Sequence, residues 1–364
     1  MSNQYRPTKA EIHLNHIGHN YDHVKNAIAP KTLVPVLKAN AYGHGSVQVA
    51  TYLYRKGVRL FAVSLVEEAL EIKKALPDID VLVMGLTGPD DFEVAAEHNL
   101  IITVFEEAVA QAILKTVHRL RFHLKVDTGM NRLGIKEADD VIRFMTRVQD
   151  KDNLRMEGIF THFATADSNR DYYLYQRNRF EALLKKLPFT PPMVHASNSS
   201  SAIKYEQEMP YTTHSRVGIL LYGLTLDRGL DFLKPAMRIT TRVMHIKQLK
   251  KGERVSYNIT YEAPEDMRIA VLPIGYADGF IRKNQGGDVS ICGKRYPIVG
   301  RVCMDQTIVR IDEDVTLNDE VHIMGDAPIH IDEIAKRLDT INYEIVTQVG
   351  ARIPRVYLDK EVTS

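Results

Sequence analysis

Residues 34–45 of the sequence read VPVLKANAYGHG. The apolar run that begins at Val34 predicts a short buried strand, and that strand ends on a lysine, Lys38. Two glycines and an asparagine follow and predict a turn, and a helical pattern begins near Ser46. Lysine is almost never fully buried unless it is paired or used in chemistry. Two interpretations are open: a strand-end lysine that reaches solvent, or a reactive lysine whose desolvated amine forms a Schiff base with a carbonyl cofactor.

Apolar, β-rich segments alternate with helical patterns from residue 34 to residue 222. In the helical pattern at residues 66–76, Leu70 and Ile72 are interspersed with Glu and Lys residues. Eight strands that are each followed by a helix predict a (β/α)8 TIM barrel in the α/β class, and a doubly wound open sheet is the alternative. The predicted strands are residues 34–38, 60–64, 81–85, 101–105, 121–127, 156–162, 193–197 and 217–222.

The pattern changes near Lys234 and Pro235, where short alternating runs separated by turn signals begin. These runs predict a C-terminal all-β domain with one helix at residues 331–338. We expect the barrel at residues 11–235 and the β-strand domain at residues 236–364, with residues 1–10 as candidates for packing with the β domain. The predicted strands of the second domain are residues 238–248, 254–257, 267–272, 288–291, 306–311 and 320–324.

Composition excludes several classes of function. The 364 residues exceed what one compact core usually holds, and the formal net charge of +1, from 47 basic and 46 acidic residues, excludes nucleic acid and an anionic membrane surface as partners. The two cysteines, Cys292 and Cys303, make neither a disulfide framework nor a zinc site, so no metal is expected. Residues 1–10 lack the apolar core of a secretory signal, and no run approaches the roughly 18 apolar residues of a spanning helix. We therefore expect a cytoplasmic protein.

On a barrel, chemistry collects at the C-terminal ends of the strands. Five polar side chains fall at or just beyond predicted strand ends: Lys38, Arg132, His162, Ser199 and Arg216. Each has an ordinary structural explanation by itself, such as an arginine paired with an acid or a satisfied core histidine, but together they predict one site. To act as a nucleophile or a base, Lys38 would need its pKa lowered from about 10.4 to about 7, by burial and neighbouring cations.

The segment VLKANAYGHG, residues 36–45, resembles the lysine segment of alanine racemases, and later segments recur in the order of that family. The resemblance extends from residue 34 to residue 355. Departures are small: Asn131 and Asn258 stand where glycine is common, and Ser197 stands where alanine is usual. Asparagine is the mildest replacement for glycine at positive φ. The later segments are HLKVDTGMNRLG (123–134), GIFTHF (158–163), HASNSS (195–200), RVGI (216–219), RVSYN (254–258), PIGYADG (273–279), GRVCMDQ (300–306), TINYE (340–344) and RIPR (352–355).

The resemblance implies a pyridoxal 5'-phosphate (PLP) cofactor held in the barrel by Lys38. In this family the arginine at the position of Arg216 faces the pyridine nitrogen of the cofactor. A guanidinium cannot accept a proton, so the ring stays unprotonated and is a weaker electron sink, which disfavours transamination. The other positions that match cofactor contacts are Tyr42, His162, Ser199, Gly218, Ile219 and Tyr343, of which Ser199, the amides of Gly218 and Ile219, and the two tyrosines match contacts to the phosphate.

Racemisation needs a proton taken from one face of the α-carbon and delivered to the other. The segment RVSYN matches the one that carries the second base of the family, which makes Tyr257 that base beside Lys38. The side chain of Arg132 and the main-chain amide of Met304 match the positions that hold the substrate carboxylate. Because the Tyr257 and Met304 segments come from the partner chain in this family, the resemblance implies a homodimer with active sites shared between the chains. Lys125 corresponds to a lysine that is carbamylated in some members.

The resemblance thus implies a PLP-dependent amino-acid racemase that interconverts L-alanine and D-alanine and supplies D-alanine for cell-wall peptidoglycan. One alternative is a racemase of broader specificity that also accepts serine. A second is a PLP-dependent decarboxylase on the same fold, which would carry an acid in place of Arg216. A third is a PLP-carrying or regulatory protein, which would leave the β domain without a function.

Overall fold

The computed structural model describes residues 5–227 and 229–359. Residues 1–4 and 360–364, which the sequence assigns to the β domain or to packing with it, lie outside the described residues. The strands are β1 (Lys9–His13), β2 (Thr32–Pro35), β3 (Leu60–Val63), β4 (Asp80–Val83), β5 (Ile101–Val104), β6 (Leu120–Lys125), β7 (Leu154–Phe160), β8 (Met193–His195), β9 (His214–Val217), β10 (Met237–Arg242), β11 (His245–Leu249), β12 (Arg254–Val255), β13 (Tyr261–Glu262), β14 (Met267–Leu272), β15 (Asp288–Ile291), β16 (Lys294–Pro297), β17 (Thr307–Ile311), β18 (Glu320–Met324) and β19 (Arg355–Leu358).

The α-helices are Leu14–Ala27, Ser46–Arg55, Val66–Ala75, Phe92–Glu97, Glu107–Ile113, Ala138–Val148, Arg170–Leu184, Ser199–Lys204, Ile331–Leu338 and Asn342–Thr347. The short 3-10 helices are Pro89–Asp91, Glu206–Glu208, Ile219–Tyr222, Tyr257–Ile259, Tyr276–Asp278 and Arg282–Asn284. None of the helices in the described part of the chain has the length and apolar character needed to cross a membrane.

Strands β2 to β9 form a closed parallel barrel. Their neighbours follow the order β2-β9-β8-β7-β6-β5-β4-β3. At the two ends of this order, Val36 forms a parallel bridge with Ala62, and the Leu37 N–H donates to the Ala62 carbonyl oxygen at 2.8 Å. These contacts close the sheet and exclude the open-sheet alternative. The predicted (β/α)8 barrel is confirmed.

Most of the barrel strands are mainly apolar, because both faces of a parallel sheet are covered. Phe61 and Val63, for example, are fully buried. The helix Val66–Ala75 buries Ala69 and Ile72, which lie three residues apart and so share one face of the helix. Strands and helices therefore pack into one core, which leaves the loops at the strand ends free to build a site.

The last barrel strand lies earlier in the chain than the sequence predicts. Strand β9 spans His214–Val217, whereas the predicted strand at residues 217–222 is largely replaced by the buried 3-10 helix Ile219–Tyr222. A short apolar run cannot be assigned to a strand or a helix by periodicity alone. This run packs against the helix Leu14–Ala27 instead of pairing with a strand.

The β domain draws strands from both ends of the described chain. Its largest sheet has the order β16-β15-β18-β10-β1-β19, in which β1 pairs antiparallel with β10 and parallel with β19. A second sheet has the order β11-β14-β17, and β12 pairs with β13. The run at residues 238–248, predicted as one strand, is divided between β10 and β11 because the two halves belong to different sheets. The helix Ile331–Leu338 agrees with the prediction, but a second helix, Asn342–Thr347, follows where only one was predicted.

The β domain contacts the barrel beside Lys38. The Nε of Arg355 donates to the carbonyl oxygen of Gly43 at 3.1 Å. Gly43 has a φ of 82°, and a Cβ there would lie 2.3 Å from the carbonyl oxygen of Val346. The segment that follows the first barrel strand is therefore enclosed between the barrel and the β domain, and only glycine fits at this point.

Candidate active site

A cavity of about 500 Å³ lies at the carboxyl ends of the barrel strands. Its size is within the range of sites that hold cofactors and small ligands. All of the site residues predicted from the sequence line it, except Tyr257 and Met304. Those that line it are Lys38, Tyr42, Arg132, His162, Ser199, Arg216, Gly218, Ile219 and Tyr343. Those on the barrel meet because parallel strands all end at the same rim of a barrel, and Tyr343 comes from the helix Asn342–Thr347 of the β domain.

Lys38 begins a left-handed turn. The sequence predicts that the first barrel strand ends on this lysine, but β2 ends at Pro35, and residues 39–42 have φ values of 52° to 53°. For residues with a side chain this conformation costs roughly 1–2 kcal/mol each, so four in succession need support from their surroundings. Part of that support comes from His44, whose Nδ1 donates to the carbonyl oxygen of Tyr42 at 2.9 Å.

The environment of Lys38 favours its neutral amine. Burial lowers the pKa of Lys38, the positive charge of Arg132 lowers it further, and Glu68 opposes both. The Nζ atom lies 5.9 Å from the centre of the Tyr42 ring. Because the neutral amine is the nucleophilic and basic form of lysine, these surroundings prepare Lys38 for chemistry at a carbonyl group or an acidic carbon.

Arg132 is carried by the loop after β6. The side chain of Asp127 organises this loop, since its Oδ1 accepts the main-chain N–H groups of Gly129 at 2.9 Å and Asn131 at 3.0 Å. Asn131 has a φ of 55°, in agreement with its place at a glycine position. Next to this loop, burial and the charge of Arg132 lower the pKa of Lys125 to about 8. The cavity therefore has a cationic wall suited to a carboxylate.

Arg216 is buried and donates only to neutral groups in its hydrogen bonds. Its Nη2 donates to the carbonyl oxygens of Thr161 at 2.9 Å and Ala196 at 3.0 Å. Its Nη1 donates to Nδ1 of His195 at 2.6 Å, and Nη2 lies 3.2 Å from Nδ1 of His162. Burial lowers the pKa of Arg216 to about 9, which still leaves it positive at neutral pH. The explanation of Arg216 as the partner of a nearby acid is therefore wrong.

His123 and His195 extend this network, although the sequence interpretation gave them no role. A guanidinium only donates, so Nδ1 of His195 accepts and its Nε2 carries the proton, which is donated to Nδ1 of His123 at 2.9 Å. Burial lowers the pKa of His123 to about 3, and burial with the charge of Arg216 lowers the pKa of His195 well below its usual value. Both rings are neutral. The sequence contains a signal that could have pointed to His123: Arg121, His123 and Lys125 alternate with apolar residues in β6, and alternate residues share one face of a strand.

Gly218, Ser199 and Tyr42 form a cradle of main-chain and hydroxyl groups. The Gly218 N–H donates to Oγ of Ser199 at 3.1 Å, and a Cβ on Gly218 would lie 2.4 Å from the hydroxyl oxygen of Tyr42. Ile219 follows at the start of its 3-10 helix, and the Tyr343 ring lies 6.2 Å from the Tyr42 ring. Main-chain N–H groups and hydroxyls at a helix start bind anions, and phosphate is one such anion.

Tyr257 and Met304 lie on the surface of the β domain, 66% and 53% exposed. Neither lines the cavity that holds Lys38. The structure does bring them together, since Oγ of Ser256 donates to the carbonyl oxygen of Arg301 at 2.6 Å. Two main-chain hydrogen bonds then join the loop of Tyr276 to that of Met304. We call the segments 254–258, 275–277 and 301–304 together the exposed loop cluster.

The fold and the site define the class of this protein, a (β/α)8-barrel enzyme with an added β domain. The barrel is closed, and its strand ends carry a desolvated lysine, an arginine bonded to neutral groups and an anion cradle. The model of the alanine racemase N-terminal domain matches residues 12–226, and that of the C-terminal domain matches residues 236–357. The chain belongs to the alanine racemase family, a family of isomerases, and the resemblance seen in the sequence is confirmed.

Relatives support this membership over the whole chain. The chain is 39% identical to an alanine racemase of Geobacillus kaustophilus, over 98% of this chain and 96% of that protein. It is 38% identical to alanine racemase 1 of Bacillus subtilis, over 98% and 94% of the two chains. The crystal structure of alanine racemase from Bacillus anthracis with bound L-Ala-P superposes with a TM-score of 0.91 at 35% identity, over 99% and 97% of the two chains.

Proposed function

We propose that the chain catalyses the reaction of its family, the interconversion of L-alanine and D-alanine, as a PLP-dependent two-base racemase. The observation that carries this proposal is one cavity that collects the Lys38 amine, the Arg216 guanidinium and an anion cradle. We propose further that the protein acts in the cytoplasm as a homodimer and that its D-alanine serves peptidoglycan synthesis.

The residues of the cavity fit PLP. Because Gly218 has no side chain, the Tyr42 hydroxyl can lie close to its main chain, and the two groups face the cavity together with Ser199. A phosphate would be held there by Ser199, Tyr42, the amides of Gly218 and Ile219, and Tyr343. Lys38 would hold the cofactor covalently. When bound, PLP supplies an aldehyde carbon for an amine and a pyridine ring that withdraws electrons from the α-carbon of the substrate.

Arg216 would donate a hydrogen bond to the ring nitrogen. Because the neutral imidazoles of His162 and His195 and two carbonyl oxygens accept its other protons, the guanidinium is held in place and stays positive. It has no lone pair with which to accept a proton. The decarboxylase alternative calls for an acid at this position, so Arg216 favours the racemase.

Lys38 and Tyr257 of the partner subunit would be the two bases, on opposite faces of the substrate. In its neutral form, Nζ of Lys38 would take the α-proton of D-alanine, and the phenol of Tyr257 of the partner subunit would deliver a proton to the other face; the roles exchange for L-alanine. Arg132 and the amide of Met304 of the partner subunit would bind the substrate carboxylate and fix the α-carbon between the bases.

The surface of the chain supports a shared site. Tyr257 and Met304 lie in the exposed loop cluster, which also contains Tyr276 at 38% exposure. At the rim of the cavity Leu65 and Leu86 are 52% and 67% exposed. Exposed apolar side chains that are grouped in this way mark interaction surfaces. A head-to-tail dimer with two-fold symmetry would cover the rim of each barrel with the loop cluster of the other chain.

A mixing experiment tests the bases and the shared site together. Lys38→Ala and Tyr257→Phe variants should each be inactive as pure proteins. In a refolded equal mixture, half of the dimers would contain one chain of each kind, and one of their two sites would combine an intact Lys38 with an intact Tyr257. We therefore expect about one quarter of wild-type activity to return.

Absence of recovered activity, with mixed dimers shown to be present by differently tagged chains, would contradict the shared site. Substantial racemisation by the pure Tyr257→Phe protein would reject its role as a base. Chiral analysis of the products from L-alanine, L-serine and L-lysine would separate an alanine-specific enzyme from one of broader specificity, and release of carbon dioxide would indicate the decarboxylase.

A further inference from the structure

The left-handed turn at residues 39–42 directs the Lys38 side chain, so whatever holds this turn also sets the position of the amine. Four consecutive residues with φ near 53° form an arrangement that residues with side chains disfavour. On the C-terminal side of the turn, His44 bonds the carbonyl oxygen of Tyr42 and Arg355 bonds that of the next residue, Gly43. Its first peptide, between Lys38 and Ala39, is held from another part of the chain.

That support comes from Glu68 on the helix Val66–Ala75. Oε1 of Glu68 accepts the N–H of Ala39 at 2.6 Å. Its Oε2 accepts the N–H groups of Ser64 at 2.8 Å and Leu65 at 3.1 Å. One oxygen thus caps the start of the helix of Glu68, and the other crosses to the peptide bond next to Lys38.

We propose that Glu68 is a positioning residue for Lys38: its carboxylate fixes the Lys38–Ala39 peptide in the left-handed turn and so aims the amine into the cavity. This inference rests on the proposed role of Lys38 as the cofactor-holding amine and base. Three N–H donors converge on the two oxygens of Glu68, so a side chain with two acceptor atoms is needed here. An amide side chain would turn an NH2 group toward one of these donors.

The negative charge of Glu68 also acts on the Lys38 amine. Among the residues that the structure describes, Glu68 is the acid that acts on the Lys38 amine, and it opposes the lowering of the pKa of Lys38 by burial and by Arg132. Removing this charge lets the pKa of Lys38 fall further, so that the neutral amine is present at lower pH. The titratable and charged groups near the amine are Arg132, Lys125, His162, Tyr42 and Glu68.

Glu68→Gln, with Glu67→Gln as the matched control, tests the proposal. Glu67 is exposed on the same helix, so its variant removes an equal charge without touching the turn. We expect Glu68→Gln to lower kcat about 10- to 100-fold, the effect of losing one charge-assisted hydrogen bond at the site, with a much smaller change in the KM for alanine. The pH midpoint at which the PLP-free protein captures added PLP should move to lower pH. The control should match the wild type in all three measurements.

Glu68→Asp separates the hydrogen bond to Ala39 from the negative charge of the carboxylate. It also tests the proposal if Glu68→Gln does not fold. The shorter side chain keeps its charge and can still cap Ser64 and Leu65, but it withdraws from Ala39. We expect it to lower kcat without the full shift of the capture midpoint. If the folded Glu68 variants lose thermal stability only, with kcat and midpoint equal to those of the control, Glu68 is a helix cap and the proposal is overturned. A wild-type protein that binds PLP and racemises alanine in the same assays shows that the proposed function stands when this inference fails.

Discussion

Replacement of Ala39 by glycine should stabilise the folded protein or leave it unchanged, which is opposite to the usual effect. In a right-handed helix the change costs roughly 0.5–1 kcal/mol, because glycine loses more conformational entropy on folding. Ala39 has φ 52° and ψ 51°, where a Cβ costs roughly 1–2 kcal/mol and glycine is unstrained. The difference is a gain of about 0 to 1.5 kcal/mol. Ala39 is exposed, and its bond to Glu68 uses the main chain, so little packing is lost.

Urea unfolding of the PLP-saturated protein measures this change as a shift in midpoint at constant slope. Ala182→Gly is the matched control, because Ala182 is exposed inside the right-handed helix Arg170–Leu184 and should lose the ordinary 0.5–1 kcal/mol, roughly. Destabilisation of the Ala39→Gly protein equal to that of the control would refute the left-handed conformation as the source of strain. A gain in stability accompanied by lower kcat would show that the strain serves to hold Lys38.

Gly218→Ala should weaken PLP binding about 10-fold or more, because the new Cβ would lie 2.4 Å from the Tyr42 hydroxyl and displace it from the cradle; titration of the PLP-free protein measures this, and an unchanged affinity would count against the cradle. His123 has its pKa lowered from 6.5 to about 3 by burial, so below pH 6.5 the unfolded chain binds a proton that the folded chain does not. Stability should therefore fall as the pH drops, by about 2 kcal/mol at pH 5 from this residue, and His123→Gln should reduce the slope of unfolding free energy against pH by about one proton. Ser197→Ala should cost about 1–3 kcal/mol in urea unfolding, because its buried hydroxyl donates to Oε2 of Glu206 at 2.7 Å; a loss below about 0.5 kcal/mol would show that this bond does not stabilise the fold.

The periodicity of the sequence was sufficient to predict the barrel and most of the residues that line the cavity. Strands alternate with amphipathic helices, and parallel strands in a barrel end at one rim, so Lys38, Arg132, Ser199 and Arg216 had to meet. The two asparagines at glycine positions also pointed to a backbone conformation with positive φ, which both Asn131 and Asn258 have. The strand predicted at residues 217–222 failed because a short apolar run has no period that separates a strand from a helix.

Contacts between distant parts of the chain decided the conformation of the lysine turn and the charge of the buried histidines. Ala39, Ala41 and Tyr42 have no local preference for a left-handed turn, and they adopt one because Glu68 and His44 bond their peptide groups and Arg355 bonds that of the next residue, Gly43. The neutral state of His123 and His195 follows from burial beside Arg216, which the order of residues does not reveal. Local sequence thus determined most of the elements and the rim at which the barrel strands end, whereas the conformation of the lysine turn and the charges in the cavity depend on groups that only folding brings within hydrogen-bonding distance.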